Sequence, residues 1–205
     1  MTVLVSGFEP FDGAATNPSW EVAARLASAG TDLVGEHVVA ARLPVTFDGA
    51  WPALEAAVQQ HEPRVVVALG LAGGSARVRL ERVAINVVDA RIPDNAGEAP
   101  VDVPVVDGGP AAYWSGLPLK ASLAALRHLG LPAEVSSTAG TYVCNATFYA
   151  LMHHASGAPG LRAGFVHVPA VDRVPLDDQV RAVAHVLRST LAGAPEPALA
   201  AGTES

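Results

Sequence analysis

Short apolar runs bounded by glycine or proline recur along the chain and predict buried strands. They span residues 2–6, 35–45, 64–70, 82–92, 133–137 and 164–168. The run over 64–70, RVVVALG, is apolar after its first residue, which is typical of a central strand covered on both faces. The pattern therefore predicts a sheet whose middle strands are buried.

Helical spacing of apolar residues fills the segments between these runs. It predicts helices over residues 18–28, 48–60, 118–129, 144–155 and 176–191. Asn17 followed by Pro18 fits a helix N-cap with proline at the first helical position. Strands that alternate with helices predict an α/β fold: a single domain with a twisted, mostly parallel sheet and helices on both faces, as in phosphorylases and hydrolases. We assign residues 1–192 to this domain and expect the aperiodic tail, 193–205, to be disordered.

Composition narrows the class of protein. Of 205 residues, 50% are hydrophobic and 16% are charged, which excludes a disordered chain. The net charge is −7 and Lys120 is the only lysine, so no basic run is present to neutralise nucleic-acid phosphates. The N-terminus lacks a signal-peptide pattern, and no run of about 18 apolar residues occurs. We therefore expect a cytoplasmic protein that binds neither nucleic acid nor membrane.

Cys144 is the only cysteine, which excludes an internal disulfide and a cysteine-based zinc site. It lies where a glycine-containing segment, 138–143, meets a predicted helix. The positive end of a helix stabilises a thiolate, and its unpaired N–H groups can hold an oxyanion. This position favours a nucleophile, and a small buried hydrophobic residue is the alternative interpretation. The neighbouring Asn145 is expected to cap or pack, although an asparagine can also orient a catalytic base.

Of the seven histidines, His167 has the most informative position. It interrupts the apolar run 164–168 near the carboxyl end of a predicted strand, where open α/β folds bind ligands. A base for Cys144 and a hydrogen-bonded core histidine are both consistent with this position. An orienting carboxylate for the imidazole must come from elsewhere in the fold. Sequence spacing leaves four candidates open: Glu81, Asp89, Asp94 and Glu98.

Four segments, in chain order, resemble the motifs of one family of cysteine peptidases. They are VSGFEPFDG (5–13) with NPS (17–19), ERVAIN (81–86) with DARIPDN (89–95), STAGTYVCN (137–145) and FVHVP (165–169). The family is pyroglutamyl peptidase I, also called pyrrolidone carboxyl peptidase. Each motif is moderately specific, and their ordered coincidence makes the resemblance strong.

The resemblance implies a cytosolic thiol peptidase that removes N-terminal pyroglutamate from peptides through an acyl-enzyme. It implies that Cys144 is the nucleophile, His167 the general base and Glu81 the carboxylate that orients it. Arg91 matches a position associated with the oxyanion site. The resemblance also implies a homodimer or homotetramer, and neither it nor the sequence points to a cofactor or a metal.

Pyroglutamate contains a five-membered lactam ring with two apolar faces and no ammonium group. A pocket for it needs flat apolar walls rather than an acidic residue. By resemblance, the pocket is lined by Phe8, Phe11, Leu71, Ile92, Tyr142 and Val143. Two of these depart from the family, which usually has glutamine in place of Leu71 and phenylalanine in place of Tyr142. We expect Phe11 and Tyr142 to stack on the two ring faces and Leu71 to contribute through its backbone.

Two other functions stay open at this point. A nucleoside phosphorylase-like enzyme would hold phosphate with the loop at Gly73 and Gly74, although the loop lacks the lysine of a P-loop. A catalytically silent binding module of the same fold would need no reactive thiol. Phosphate-dependent cleavage of nucleosides would identify the first, and full loss of activity on thiol alkylation would exclude the second.

Overall fold

The computed structural model describes residues 1–193 and 195–202, which form eight strands and five helices. The strands are β1 (Thr2–Phe8), β2 (His37–Leu43), β3 (Val65–Leu71), β4 (Val78–Glu81), β5 (Val83–Ile85), β6 (Ala112–Trp114), β7 (Ala133–Ser136) and β8 (Arg162–Val168). The helices are α1 (Pro18–Ser28), α2 (Ala50–His61), α3 (Leu119–His128), α4 (Val143–Ser156) and α5 (Leu176–Ala192). All the helices that the periodicity predicts are present, and Asn17 caps α1 by accepting a hydrogen bond from the Ser19 N–H.

Six of the strands form one central sheet in the order β2-β1-β3-β8-β4-β7. Neighbouring strands in it are parallel except β8 and β4, which run antiparallel. β5 and β6 form a separate antiparallel pair. The mostly parallel sheet is therefore confirmed, and it contains one antiparallel junction.

The helices cover both faces of the central sheet, as expected. α1, α3 and α5 pack together on one face, where Leu26, Leu123 and Leu187 are fully buried. α2 and α4 pack on the other face around Leu54 and Phe148. Burying one such side chain contributes about 1.5–3 kcal/mol to the free energy of folding. Packing of the two helical layers on the sheet therefore holds the strand ends and the start of α4 in place. No helix within the described ranges is long and apolar enough to cross a membrane.

One expectation, a single strand over 82–92, is wrong. β4 ends at Glu81, and the next strand, β5, contains only three residues. The chain leaves the central sheet at Arg82, whose N–H donates to the Ser136 carbonyl while its own carbonyl accepts from the Ser115 N–H beside β6. The next three residues, Val83–Ile85, therefore pair with β6 instead of extending the central sheet. β4 and β6 were not predicted because four and three residues are too few for an alternating pattern to stand out.

The described part of the tail, 195–202, contains no helix or strand but contacts the domain. The Glu196 carboxylate accepts hydrogen bonds from the N–H groups of Lys120 (3.1 Å) and Ala121 (2.7 Å) in the first turn of α3. Pro118, the N-cap residue of α3, makes no side-chain cap hydrogen bond. Glu196 therefore satisfies N–H groups that have no partner within the helix.

Leu199 of the tail packs against the core, and its carbonyl accepts a hydrogen bond from Lys120 Nζ. The sequence offers no periodicity from which such contacts follow. The disorder expected for 193–205 stays a prediction, and residues 194 and 203–205 lie outside the described residues.

Glu196→Ala should lower the free energy of unfolding by about 1 kcal/mol, because it removes the acceptors of two N–H groups at a helix N-terminus. Equilibrium unfolding in urea measures the change. Glu98→Ala is the control, since its side chain is exposed on a loop. Equal stability of the two variants would show that the tail does not cap α3.

Candidate active site

The carboxylate that pairs with His167 is Glu81. Glu81 is the last residue of β4 and His167 lies in β8, and the antiparallel register places the two side chains diagonally on one face. His167 Nδ1 lies 2.8 Å from Glu81 Oε1. Glu81 is fully buried and His167 is 5% exposed. Of the four carboxylates that spacing left open, the fold brings Glu81 to the imidazole, whereas the others lie in the loop after β5: Asp89, Asp94 and Glu98.

The Cys144 thiol meets the His167 imidazole at the end of β3. Cys144 is the second residue of α4 and is half-buried. A Cβ atom placed on Gly70 would lie 2.8 Å from Cys144 Sγ and 3.0 Å from His167 Cδ2. Both distances are shorter than van der Waals contact, so glycine leaves the room in which the two groups approach each other. Close approach is thus found at Gly70 within β3, whereas Gly73 and Gly74, in the loop that follows, border open space.

The surroundings of His167 determine its charge. Burial lowers the pKa of the imidazole, whereas the hydrogen bonds to Cys144 and Glu81 and the charges of both partners raise it. The partners prevail, and the pKa rises from 6.5 to about 9. At neutral pH the ring therefore carries protons on both nitrogens, one directed to the carboxylate and the other available to the thiol sulfur.

The first turn of α4 presents backbone N–H groups beside Cys144. Tyr142 is the N-cap residue and makes no side-chain cap hydrogen bond. Ala146 N–H donates to the Tyr142 carbonyl (3.1 Å), so the N–H groups of residues 143–145 precede the first intrahelical bond and are available to an anion. Arg91, which the resemblance links to the oxyanion site, is exposed on the loop after β5 and is not among the residues that line the adjacent cavity.

A cavity of about 370 Å³ opens beside Cys144. All the residues that the resemblance assigns to the pocket line it: Phe8, Phe11, Leu71, Ile92, Tyr142 and Val143. The sequence analysis missed the other lining residues, which lie in the loops after β1 and β2: Asp12, Ala14, Thr16, Asn17 and Val45. Sequence reasoning assigned Asn17 only a role as helix cap, and nothing in the spacing of these residues indicated that they line a cavity.

The two aromatic rings expected to sandwich the lactam contact each other. The ring centroids of Phe11 and Tyr142 are 5.7 Å apart, and the rings are tilted by 48°. Two walls on opposite faces of a flat ring must be about 7 Å apart, twice the contact distance between carbon atoms. One wall must therefore move before a ring can lie between them.

Tyr142 is the fixed wall of the cavity. Its hydroxyl donates to the Pro93 carbonyl (2.9 Å), and its ring meets Phe47 edge-on with centroids 5.2 Å apart. Burial raises the pKa of Tyr142 to about 12, with further contributions from the charges of Asp94, Cys144 and Asp12. The hydroxyl therefore stays a hydrogen-bond donor near neutral pH. Phe11 is half-buried and has no polar group that could anchor its ring.

Backbone hydrogen bonds to Asp94 hold the loop 91–98 beside the cavity. The Asp94 carboxylate accepts from the N–H groups of Phe47 (2.8 Å), Ala96 (2.8 Å) and Glu98 (2.9 Å). Burial raises the pKa of this carboxyl, but the hydrogen bonds outweigh burial and lower the pKa below its ordinary value of 3.8. Asp94 is thus an organiser of the loop rather than a partner of the imidazole.

Asn95 and Glu9 join the same loop to the end of β1. Asn95 Nδ2 donates to Glu9 Oε1 (2.8 Å), which also accepts from the Val45 N–H (3.2 Å). Three loops around the cavity therefore meet at one carboxylate. Sequence reasoning gave Glu9 and Asn95 no role, because a carboxylate that satisfies loop N–H groups has no distinctive spacing. Despite these acidic residues, the described part of the chain contains no group of three or more His, Cys, Asp or Glu side chains that could hold a metal ion.

Comparison with known proteins shows close relatives along the whole chain. A family model described as pyroglutamyl peptidase matches residues 1–194. The pyrrolidone-carboxylate peptidase of Clavibacter michiganensis subsp. michiganensis is 49% identical, over 98% of this chain and 98% of that protein. The pyrrolidone-carboxylate peptidase of Klebsiella pneumoniae is 54% identical, over 82% of this chain and 77% of that protein.

Solved structures share the fold. The crystal structure of Bacillus amyloliquefaciens pyroglutamyl peptidase I has a TM-score of 0.89 and 39% identity, covering 93% of this chain and 97% of that chain. Pyrrolidone carboxyl peptidase from Thermococcus litoralis has a TM-score of 0.91 and 30% identity, covering 97% of this chain and 99% of that chain. Fold, motifs and identity agree over nearly the full length, and the chain belongs to the pyroglutamyl peptidase family.

Proposed function

We propose that this chain is a thiol peptidase that removes N-terminal pyroglutamate from peptides. One arrangement carries the proposal: the Cys144 thiol lies against an imidazole that is hydrogen-bonded to a buried carboxylate, beside a largely apolar cavity. Relatives that are 49% and 54% identical are named pyrrolidone-carboxylate peptidases. Membership of this family favours peptide cleavage over the phosphorylase alternative.

Cys144 is the nucleophile and His167 moves the proton. We take the reactive form to be a thiolate–imidazolium pair: the raised pKa of His167 favours a protonated imidazole, whose charge stabilises the thiolate that attacks. Glu81 fixes the orientation of the imidazole and offsets its charge. His167, to which the resemblance assigns the role of general base, therefore acts chiefly as a general acid in the first step.

The reaction proceeds in two steps. Cys144 Sγ bonds to the carbonyl carbon that joins pyroglutamate to the next residue, and the C–N bond breaks as His167 gives its proton to the leaving amine. Water then attacks the thioester: its hydroxyl bonds to the acyl carbon, its proton passes to His167, and the C–S bond breaks to restore the thiolate. First-turn N–H groups of α4 stabilise the oxyanion in both steps, with Arg91 as the proposed second contributor.

The cavity suits a neutral lactam ring. Phe8, Ile92 and Val143 supply apolar surface, Tyr142 offers a fixed face, and Phe11 moves to cover the other face. Leu71 ends β3 at the cavity and contributes through its backbone groups, which do not depend on the identity of the side chain.

Several expectations about the setting of the enzyme stay predictions. These are a cytoplasmic location, action without a cofactor, and assembly as a homodimer or homotetramer. Val101, Val103 and Trp114 are 64%, 41% and 72% exposed, and they offer apolar surface for self-association.

Release of a reporter amine from a pyroglutamyl amide tests the proposed function. The protein should release the amine and lose all activity on thiol alkylation, because Cys144 is its only cysteine. Cys144→Ala should be folded and inactive, and Cys144→Ser nearly inactive, because a hydroxyl is the poorer nucleophile. The matching prolyl amide is the control, since it keeps a five-membered ring but has a charged ring nitrogen. Full activity after alkylation, or an equal rate on the prolyl amide, would contradict the proposal.

The pH dependence of kcat/KM tests the role of His167. Its pKa is raised to about 9, so the imidazolium is present below that pH and is lost as the pH rises through it. We therefore expect an alkaline limb near pH 9 in kcat/KM. Glu81→Gln removes a partner that raises this pKa, and the limb should move to lower pH. A limb that stays in place would show that Glu81 does not set the charge of the imidazole.

The same experiment orders the severity of two substitutions. His167→Ala should lower kcat by orders of magnitude at every pH, and Glu81→Gln should lower it less, because the carboxylate only orients the imidazole.

The raised pKa of His167 also stabilises the folded state. This contribution is fully present below pH 6.5 and is lost between pH 6.5 and about 9. Thermal unfolding of the wild type and His167→Ala across this range measures it.

Substitution of the two aromatic walls separates their roles. Phe11→Ala should raise KM by at least about tenfold, because an aromatic face in a desolvated pocket contributes a few kcal/mol. Tyr142→Phe should keep most activity, since the ring remains and the lost hydrogen bond to Pro93 contributes about 1 kcal/mol. Leu71→Gln should change kcat/KM by less than about tenfold. Steady-state kinetics on the pyroglutamyl amide measures all three, and a large gain in Leu71→Gln would mean that the glutamine side chain matters.

A further inference from the structure

Three hydrogen bonds of Asn145 tie the start of α4 to the segment that follows Glu81. Asn145 is fully buried. Its Nδ2 donates to the carbonyls of Ile85 (2.9 Å) and Val87 (3.0 Å). Its Oδ1 accepts from the Ile85 N–H (3.1 Å). The amide therefore pairs with the end of β5 much as the backbone of a neighbouring strand would.

These bonds close a ring through the proposed active site. Cys144 contacts His167, His167 is hydrogen-bonded to Glu81, and the backbone runs from Glu81 to Ile85. Asn145 completes the ring, because it binds Ile85 and is covalently joined to Cys144. The separation of nucleophile and carboxylate is therefore fixed on two sides, by the imidazole and by the amide.

We propose that Asn145 is a positioning residue for the peptidase reaction, which holds Cys144 Sγ at the imidazole by fixing α4 to the strand that continues from Glu81. The inference rests on the proposed function, because it takes Cys144 as the nucleophile. Asn145 acts through the placement of the thiol. A misplacement of about 1 Å between reacting groups is enough to cost on the order of a hundredfold in rate.

A second contact between the same segments is exposed to solvent and is the weaker constraint. Asp89 N–H donates to the Thr141 carbonyl (3.0 Å), and Thr141 Oγ1 donates to the Asp89 carbonyl (2.8 Å). Water competes for exposed hydrogen bonds, whereas a buried donor or acceptor that loses its partner bears the full desolvation penalty. Loss of the Asn145 hydrogen bonds should therefore be more costly to the position of α4 than loss of the contact between Thr141 and Asp89.

The aromatic wall of the pocket that precedes α4, Tyr142, has its own support. Tyr142 is held by the Pro93 carbonyl and by the edge of Phe47. Loosening α4 at Asn145 should therefore displace the thiol more than the wall, and it should affect kcat more than KM.

Asn145→Leu and Asn145→Ser are the test variants, and Asn86→Leu is the matched control. Asn86 also makes three side-chain hydrogen bonds, with Nδ2 donating to Val106 O (2.9 Å) and Gly109 O (3.3 Å) and Oδ1 accepting from Val106 N–H (2.9 Å). It anchors the neighbouring loop and makes none of these bonds to α4. The variants thus remove similar hydrogen bonds from the same region, and differ in whether the thiol-bearing helix is released.

The measurements are kcat and KM on the pyroglutamyl amide, the rate of Cys144 alkylation by iodoacetamide at neutral pH, and thermal stability. Each Asn145 variant should lose on the order of tenfold to a hundredfold in kcat with KM within about threefold. Alkylation should slow about tenfold, because a displaced thiol loses the imidazolium that favours its thiolate. Asn86→Leu should change kcat and alkylation by less than about threefold, even where its stability falls equally.

Equal losses of kcat and alkylation rate in the Asn145 and Asn86 variants would overturn the proposal and leave Asn145 a purely structural residue. Asn145→Ser is the milder change, and it carries the comparison if Asn145→Leu does not fold. The two proposals fail separately, because alkylation needs no substrate. Absence of amine release by the wild type would refute the proposed function, whereas the alkylation rates still decide whether Asn145 positions the thiol.

Discussion

The burial of Glu81 is the constraint on which the rest of the site depends. Its side chain has no exposed surface, and Oε2 has no hydrogen-bond partner among the residues that the structure describes. An unpaired buried carboxylate costs several kcal/mol, so the charge needs a cation in direct contact. His167 supplies that cation, with its Nδ1 atom 2.8 Å from Oε1 of Glu81. The fold therefore favours an imidazolium, and the Cys144 thiol is placed beside that charge.

The antiparallel junction between β8 and β4 makes this burial possible. Because β4 starts at the edge where β8 ends, its last residue, Glu81, lies deeper in the sheet than His167. In a parallel pair the last residues of both strands would lie at the same edge, close to solvent. On the other side of β8, Gly70 in β3 removes the side chain that would separate the imidazole from Cys144. The two neighbours of β8 thus have different roles: β4 carries the buried carboxylate, and β3 has a glycine that leaves room for the thiol beside the imidazole.

Sequence reasoning predicted the framework of the molecule better than its contacts. Helix bounds followed from periodicity and capping, because both are local properties of the chain. The choice of Glu81 over Asp94 did not follow from spacing, since it depends on a reversal of strand direction that no local pattern records. Resemblance made that choice, because it transfers a three-dimensional arrangement through motifs. The anchoring hydrogen bonds of Asn145 and the tail contact of Glu196 were missed for the same physical reason, as their partners are 60 and 76 residues away.

The proposed pocket has one anchored wall, Tyr142, and one wall without a polar anchor, Phe11, and this difference suits a neutral lactam. The thiol, imidazole and carboxylate are held by the sheet and by α4, where small displacements are costly in rate. A neutral ring offers no charge to bind, so its affinity must come from burial of its two faces and a few hydrogen bonds. Phe11 and Tyr142 are in mutual contact and bury part of each other's surface, so under the proposed function a ring reaches both of them only if Phe11 moves aside. Because Tyr142 is anchored at Pro93, the proposed function needs no change in this wall of the pocket, and only Phe11 has to adapt to the ring.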